Sequence, residues 1–158
     1  MLDSKFITKV TLKNYRSIAS CDVTLGALRF LVGANGSGKS NFLDSLRFIS
    51  DSLNTTLDHA LRKRGGIKEV RRRSAGHPTN FTIGLELSLP DGTTCAYNIR
   101  IGARQRGGFE VQREEMNLRR AGGGVRYVVA AGTVVESTLP SAYAPAAAPD
   151  RLYLVNVS

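Results

Sequence analysis

The feature that most constrains this chain is an eight-residue run from Gly33 to Ser40, Gly-Ala-Asn-Gly-Ser-Gly-Lys-Ser, which fits G-x-x-x-x-G-K-[ST] at every fixed position. An apolar run, Leu28 to Val32, precedes it and predicts a short buried strand that ends at Gly33. Apolar residues then recur at spacings of three and four from Phe42 to Leu53, which predicts a helix. The predicted order is therefore strand, glycine loop, helix.

The chemistry of this loop suits a phosphate group. Glycines permit a positive φ and a close backbone approach, so successive N–H groups can point at phosphate oxygens. The N-terminus of the following helix adds partial positive charge. We expect Lys39 to reach the β- and γ-phosphates of a nucleotide and the Ser40 hydroxyl to coordinate Mg²⁺.

The rest of the chain predicts strands and little helix. Two strands joined by a turn are expected before the glycine loop, and a short helical stretch is expected around Leu57 to Leu61. Strict alternation predicts an antiparallel β meander over 81–131 with one polar face. From Gly132 onward, Ser, Ala and Pro predict no ordered interior element, and Leu152 to Val157 reads as a strand-like run.

Composition narrows the class of protein further. The chain of 158 residues carries a formal net charge of +9, which suits a polyanionic partner. Cys21 and Cys95 are far apart and lack metal-ligand spacing, so we expect two ordinary buried thiols. Without a signal peptide or a long apolar run, the sequence predicts a cytoplasmic protein with no membrane partner.

Three segments together resemble one family. Asn14-Tyr15-Arg16-Ser17-Ile18, the glycine loop and Asn41-Phe42-Leu43-Asp44-Ser45-Leu46 are similar to the N-terminal lobe of RecF/SMC/OLD-type ATPases, the AAA-15/AAA-21-like group with ABC-type heads. The likeness covers residues 1 to about 120. It implies an α/β P-loop NTPase fold, here a partial ABC-type ATPase head whose arm is the antiparallel meander.

The resemblance also implies a ligand and its contacts. The implied cofactors are ATP and Mg²⁺, with Ser40 on the metal and Arg16 near the nucleotide. The remaining implied ATP contacts lie in or directly after the loop: Gly33, Asn35, Gly36, Ser37, Gly38, Lys39 and Asn41. In this family ATP closes a dimer of heads that serves DNA maintenance, repair or phage defence, in some members through a nuclease effector.

The chain lacks the acidic half of a hydrolytic site. Hydrolysis in this family needs four apolar residues followed by Asp-Glu on a buried strand. The nearest candidates, Glu136 and Asp150, have the wrong context, and the family's Leu-Ser-Gly-Gly-type signature is also missing. We therefore predict an ATP-binding lobe over 1–131, followed by an Ala/Pro-rich linker and the start of an incomplete element over 132–158. Such a piece is expected to bind ATP without turning it over until a C-terminal lobe or second head completes it.

A dense basic run follows the first helix. Its candidate nucleic-acid contacts are Arg62, Lys63, Arg64, Arg71, Arg72 and Arg73. No aromatic residue interleaves with these charges, so base stacking has no support, and a solvated loop is the competing interpretation. Two other functions stay open: a nucleic-acid-binding module with a non-catalytic phosphate loop, and a P-loop phosphotransferase.

Overall fold

The computed structural model describes residues 6–74, 76, 78–140 and 144–157 as a mixed α/β protein. One antiparallel sheet of seven strands has the order β2-β1-β3-β4-β5-β6-β7. The strands are β1 Ile7–Tyr15, β2 Ile18–Thr24, β3 Asn80–Ser88, β4 Thr94–Ala103, β5 Phe109–Arg120, β6 Gly123–Ala130 and β7 Thr133–Ser137. The helices are α1 Lys39–Asn54, α2 Leu57–Arg62, α3 Ile67–Val70 and α4 Leu154–Val157.

The core lies between α1 and one face of the sheet. Alternation along β3 places Phe81 and Ile83 on this face, where both are fully buried and pair across the ladder with residues of β4. Phe48 of α1 packs edge to face on Phe81, with ring centroids 5.5 Å apart, and Tyr15 of β1 completes the aromatic cluster. The predicted helices α1 and α2 and the predicted meander, β3 to β6, are confirmed.

The predicted strand Leu28 to Val32 is wrong. These residues form no strand, and the side chains of Leu28, Phe30 and Val32 are 74%, 76% and 91% exposed. Within the described residues, no backbone N–H from 28 to 32 donates to a backbone carbonyl. Leu28, Phe30 and Val32 would share one face of such a strand, and the described sheet provides that face with no cover and the backbone with no ladder partner.

Two predictions for the last third of the chain are also wrong. Thr133–Ser137 forms β7 because Ala131 and Gly132, with φ of 46° and 79°, make a two-residue turn that returns the chain along β6. Leu152 to Val157 is not a strand but leads into α4, with Leu152 and Tyr153 buried.

A buried carboxylate explains the path of this last segment. Glu114 of β5 is fully buried and accepts the backbone N–H groups of Tyr153 and Leu154, at 2.6 and 2.9 Å. It also accepts the hydroxyls of Tyr97 and Tyr127, at 3.1 and 2.8 Å. The N–H groups that a strand would donate to a neighbour are thus bound by one side chain, which anchors the segment to the sheet.

Candidate functional site

The glycine loop forms the entry to α1. Gly36 and Gly38 have φ of 82° and 97°, the left-handed region that glycine adopts without strain, and Gly38 is the N-cap of α1. No side chain caps this helix, and its first turn contains no acidic residue. The first N–H groups of this 16-residue helix therefore lie beside the loop, and no acidic side chain of the first turn of α1 neutralises their partial positive charge.

Lys39 is held at the centre of the loop. Its ammonium donates to the carbonyls of Gly33 and Ala34, at 2.6 and 2.8 Å, and to the Ser37 hydroxyl at 3.3 Å. These contacts keep the one cation of the loop beside the N-terminus of α1, while the hydroxyl-bearing Ser40 stays exposed. This set of donors fits a phosphate chain, and an exposed hydroxyl at the helix start fits a hard cation such as Mg²⁺.

The tip of the β1–β2 hairpin lies against the loop. The Asn41 amide donates to the Ser17 hydroxyl at 2.7 Å, so the first turn of α1 is fixed to the hairpin. A cavity of about 540 Å³ opens between the loop and β2, and Cys21 lines it. Burial raises the pKa of the Cys21 thiol. Sequence reasoning did not identify Cys21 as a residue of this cavity, because no motif surrounds it. Its place in the lining depends on how the hairpin folds over the loop.

Arg16 lies at this hairpin but binds a carboxylate of the same chain. Its Nε donates to Asp44 Oδ2 at 2.8 Å, and the Tyr15 hydroxyl donates to the same oxygen. Asp44 lies on α1, one helical turn after Ser40. Burial, followed by the hydrogen bond to Asp44, raises the pKa of Tyr15. Arg64 also contacts Asp44, at 3.0 Å. The carboxylate nearest in sequence to the glycine loop is thus shared among three partners, and a role of Arg16 at the nucleotide stays a prediction.

The other acidic candidates lie away from the loop. Glu136 is on β7, at the opposite edge of the sheet from β2, and pairs with Arg126 at 2.8 Å. Asp150 is exposed and lies 3.8 Å from Arg151. Among the described residues there is no group of three or more His, Cys, Asp and Glu that could hold a metal ion. No described helix combines the length and apolarity needed to cross a membrane.

The structure divides the basic run into two parts. Arg62, Lys63 and Arg64 bind carboxylates of α1 and α2, and the Arg64 side chain is only 5% exposed. The hydrogen bond from Arg64 is the main cause that lowers the pKa of Asp51. Burial would lower the pKa of Arg64 itself, but Asp51 and Asp44 outweigh that effect and raise it.

The second part of the run lies beyond α3. Arg71, Arg72 and Arg73 surround a separate cavity, together with Lys68 and Ser74. Its position depends on the hairpin, since Tyr15 and Arg71 form an isolated β-bridge. The sequence predicted one basic surface, whereas burial and pairing remove Arg64 from it, and ion pairing distinguishes Arg62 and Lys63 from the second part.

The glycine loop, the lysine inside it and the uncapped helix N-terminus together have the arrangement that nucleotide-binding proteins use to bind phosphate. A family model described as an AAA ATPase domain matches residues 6–94, more than half of the chain. The protein belongs to this AAA ATPase domain family, which points to ATP binding. No curated protein matches the chain in sequence.

Proposed function

We propose that this chain is the ATP-binding lobe of a RecF/SMC/OLD-like ATPase with a P-loop NTPase, ABC-type head. The single observation that carries the proposal is the Lys39 ammonium, held by two loop carbonyls at 2.6 and 2.8 Å beside the N-terminus of α1. In this position the lysine can exchange its carbonyl contacts for phosphate oxygens with little movement of the loop. The family match over residues 6–94, which include the whole loop, supports the same interpretation.

The residues present would hold Mg-ATP by three kinds of contact. Backbone N–H groups of the loop and of the first turn of α1 would donate to phosphate oxygens, with Gly36 and Gly38 allowing the required backbone path. Lys39 would neutralise charge on the outer phosphates, and the Ser40 hydroxyl would bind Mg²⁺. When bound, the metal ion neutralises charge that develops between the two outer phosphates.

A second polypeptide segment would complete the catalytic site. The described acidic candidates either bind arginines of this chain, as Asp44 does, or lie at the far edge of the sheet, as Glu136 does. Leu28 to Val32 leads directly into the loop and is largely exposed, so it offers an unpaired, apolar segment to such a partner. We infer that the partner segment brings the acidic residues, and that ATP-dependent closure of two heads serves DNA maintenance, repair or phage defence.

Titration of the purified chain with Mg-ATP tests the proposal. Isothermal titration calorimetry is expected to show binding that Lys39→Ala weakens by at least about tenfold, because the loop loses its only side-chain cation. Arg120→Ala, which removes one exposed positive charge from the end of β5, is the matched control and should keep the wild-type affinity. Equal affinities for wild type and Lys39→Ala would overturn the nucleotide site.

A hydrolysis assay on the same proteins tests the need for a partner segment. We expect no turnover by the isolated chain, since no described acidic residue is placed to orient water at the loop. Turnover by the pure wild-type chain that disappears in Lys39→Ala would show that the chain hydrolyses ATP without a second segment. That result would contradict the completion model while leaving nucleotide binding intact.

A further inference from the structure

The cavity beyond α3 is lined almost entirely by cations. Its volume is about 340 Å³, near the lower end of small-ligand cavities. Its lining consists of Lys68, Arg71, Arg72, Arg73 and Ser74. Glu69 is the only acidic residue in this stretch, and its carboxylate is bound by Arg73. The site therefore concentrates positive charge without an acidic residue in its lining.

The backbone around this cavity is fixed to the sheet. The Arg72 N–H donates to the Asn14 carbonyl at 2.7 Å, and the Arg16 N–H donates to the Val70 carbonyl at 2.7 Å. The Arg71 guanidinium is held through Nη1, which donates to the Pro78 carbonyl at 2.6 Å. These bonds hold the backbone of the basic segment and the Arg71 side chain in one conformation, which distinguishes the segment from an unstructured charge run.

Several donors around the cavity have no partner among the residues that the structure describes. Arg71 Nε is buried and makes no hydrogen bond within the described residues. In that same part of the chain, neither the Lys68 ammonium nor the Arg72 guanidinium forms an ion pair, in contrast to Arg62, Lys63 and Arg64. A buried guanidinium N–H without an acceptor is costly, and an anionic oxygen bound in this cavity would remove that cost while also pairing with Lys68 and Arg72.

We propose that Lys68, Arg71 and Arg72 form a second anion site, separate from the glycine loop, that binds a backbone phosphate of a nucleic acid. Guanidinium groups suit phosphate oxygens because their N–H donors match two oxygens at once. A chain with net charge +9 attracts a polyanion strongly, whereas a single free phosphate gains much less from the same field. Arg62, Lys63 and Arg64 do not belong to this site.

Fluorescence anisotropy with a labelled duplex of about 20 base pairs, over about 50 to 200 mM salt, tests the site. The double variant Lys68→Ala/Arg72→Ala is expected to bind at least about tenfold more weakly and to lower the salt slope by about two. Arg62→Ala/Lys63→Ala removes the same charge and is the matched control. We expect a much smaller change in its slope, because both side chains already bind carboxylates.

Three outcomes would overturn the proposal. Equal losses of slope in the two double variants would show diffuse charge attraction instead of a built site. Absence of duplex binding by the wild-type chain would exclude the nucleic-acid ligand. Stabilisation by inorganic phosphate that requires Lys68 and Arg72, without any duplex binding, would identify a site for a free anion only. Thermal unfolding of both double variants checks that each still folds.

A further variant separates this site from the proposed ATP site. Lys39→Ala should lose ATP binding yet keep the wild-type duplex affinity when nucleotide is absent, because Lys39 does not line the second cavity. Failure of ATP binding by the wild-type chain would therefore leave the phosphate site standing. Loss of duplex binding in Lys39→Ala would show instead that the duplex contacts the glycine loop, which contradicts a separate site.

Discussion

The strand β3 and the segment Leu28 to Val32 are both short and contain several large apolar residues, yet those of β3 are buried and most of those in the segment are exposed. β3 pairs with β1 on one side and β4 on the other, and its inward residues Phe81 and Ile83 are fully buried. The segment before the glycine loop has no ladder partner in the described structure, and Val32 is almost fully exposed. Apolar content therefore does not by itself place a segment in a core, since a strand also needs neighbours to satisfy its backbone.

The two segments differ in whether neighbouring elements of this chain pair with their backbone and cover their apolar side chains. β3 alternates apolar and polar residues, so one neighbouring strand on each side and one helix are enough to satisfy it. In a strand, Leu28, Phe30 and Val32 would share one face, and that face would need cover as well as a neighbouring strand, neither of which the described structure provides. The strands of the antiparallel sheet find their neighbours within this chain, whereas the segment that leads into the glycine loop stays exposed.

The largest expected effect concerns Glu114, which anchors the segment Leu152 to Val157 to the sheet. Glu114→Ala should lower the free energy of unfolding by about 4 kcal/mol, because it leaves two buried backbone N–H groups and two tyrosine hydroxyls without an acceptor. Urea denaturation followed by circular dichroism measures the loss. Glu115→Ala, on the opposite face of β5 and paired with the exposed Arg113, should change stability by less than about 1 kcal/mol. Similar losses in both variants would show that Glu114 is not the anchor.

A smaller effect is expected when β3 and the segment Leu28 to Val32 are compared directly by one substitution in each. Ile83→Ala should cost about 3 kcal/mol because it empties a site in the core. Val32→Ala removes a side chain that is 91% exposed and should cost less than about 0.5 kcal/mol in the isolated chain. The same urea experiment measures both variants. A loss at Val32 comparable to that at Ile83 would mean that the segment is buried in solution, and the contrast between the two regions would break.

The smallest effect concerns the ion pairs that fix α1 to α2 next to these regions. Asp51→Asn should cost about 2 kcal/mol near neutral pH, because it removes the carboxylate that binds Arg64 and Lys63. The pKa of Asp51 is lowered in the folded protein, so the wild type loses this stabilisation as the pH falls below about 4. The difference between wild type and variant should therefore shrink in acid, as measured by urea denaturation at several pH values.

An exposed pair provides the control for this pH series. Asp58→Asn breaks an i,i+4 pair with Arg62 on the surface of α2 and should cost less than about 0.5 kcal/mol at neutral pH. An Asp51→Asn variant with a cost as small as this, or with a cost that does not vary with pH, would show that the Arg64 pairs do not hold the helices together.

Most of the fold could be predicted from periodicity. The presence and type of α1, α2 and β3 to β6 follow from spacings of three and four or from strict alternation, which depend only on local residues. β7 was missed because Ala131 and Gly132 act as a turn, not as the start of an irregular segment. The path of Leu152 to Val157 could not be predicted, since it depends on Glu114, which is about 40 residues away in sequence.

The candidate site was predicted unevenly for the same reason. The glycine loop is a contiguous motif, so its residues and its position at the start of α1 were evident from the sequence. The wall formed by Cys21 and the binding of Arg16 to Asp44 depend on how the first hairpin folds against α1. The division of the basic run is likewise a tertiary effect, because the acidic partners of Arg64 lie on a different helix.

The sequence by itself determined the glycine loop, the helix that follows it and the alternating strands of the meander, because each is encoded by residues close together in the chain. Only the tertiary structure decided that Leu28 to Val32 stays exposed, that Arg64 is buried between carboxylates, and that Lys68, Arg71 and Arg72 meet around one cavity. The physical reason is that burial and charge pairing depend on which distant segments come into contact, and local spacing carries no record of those contacts.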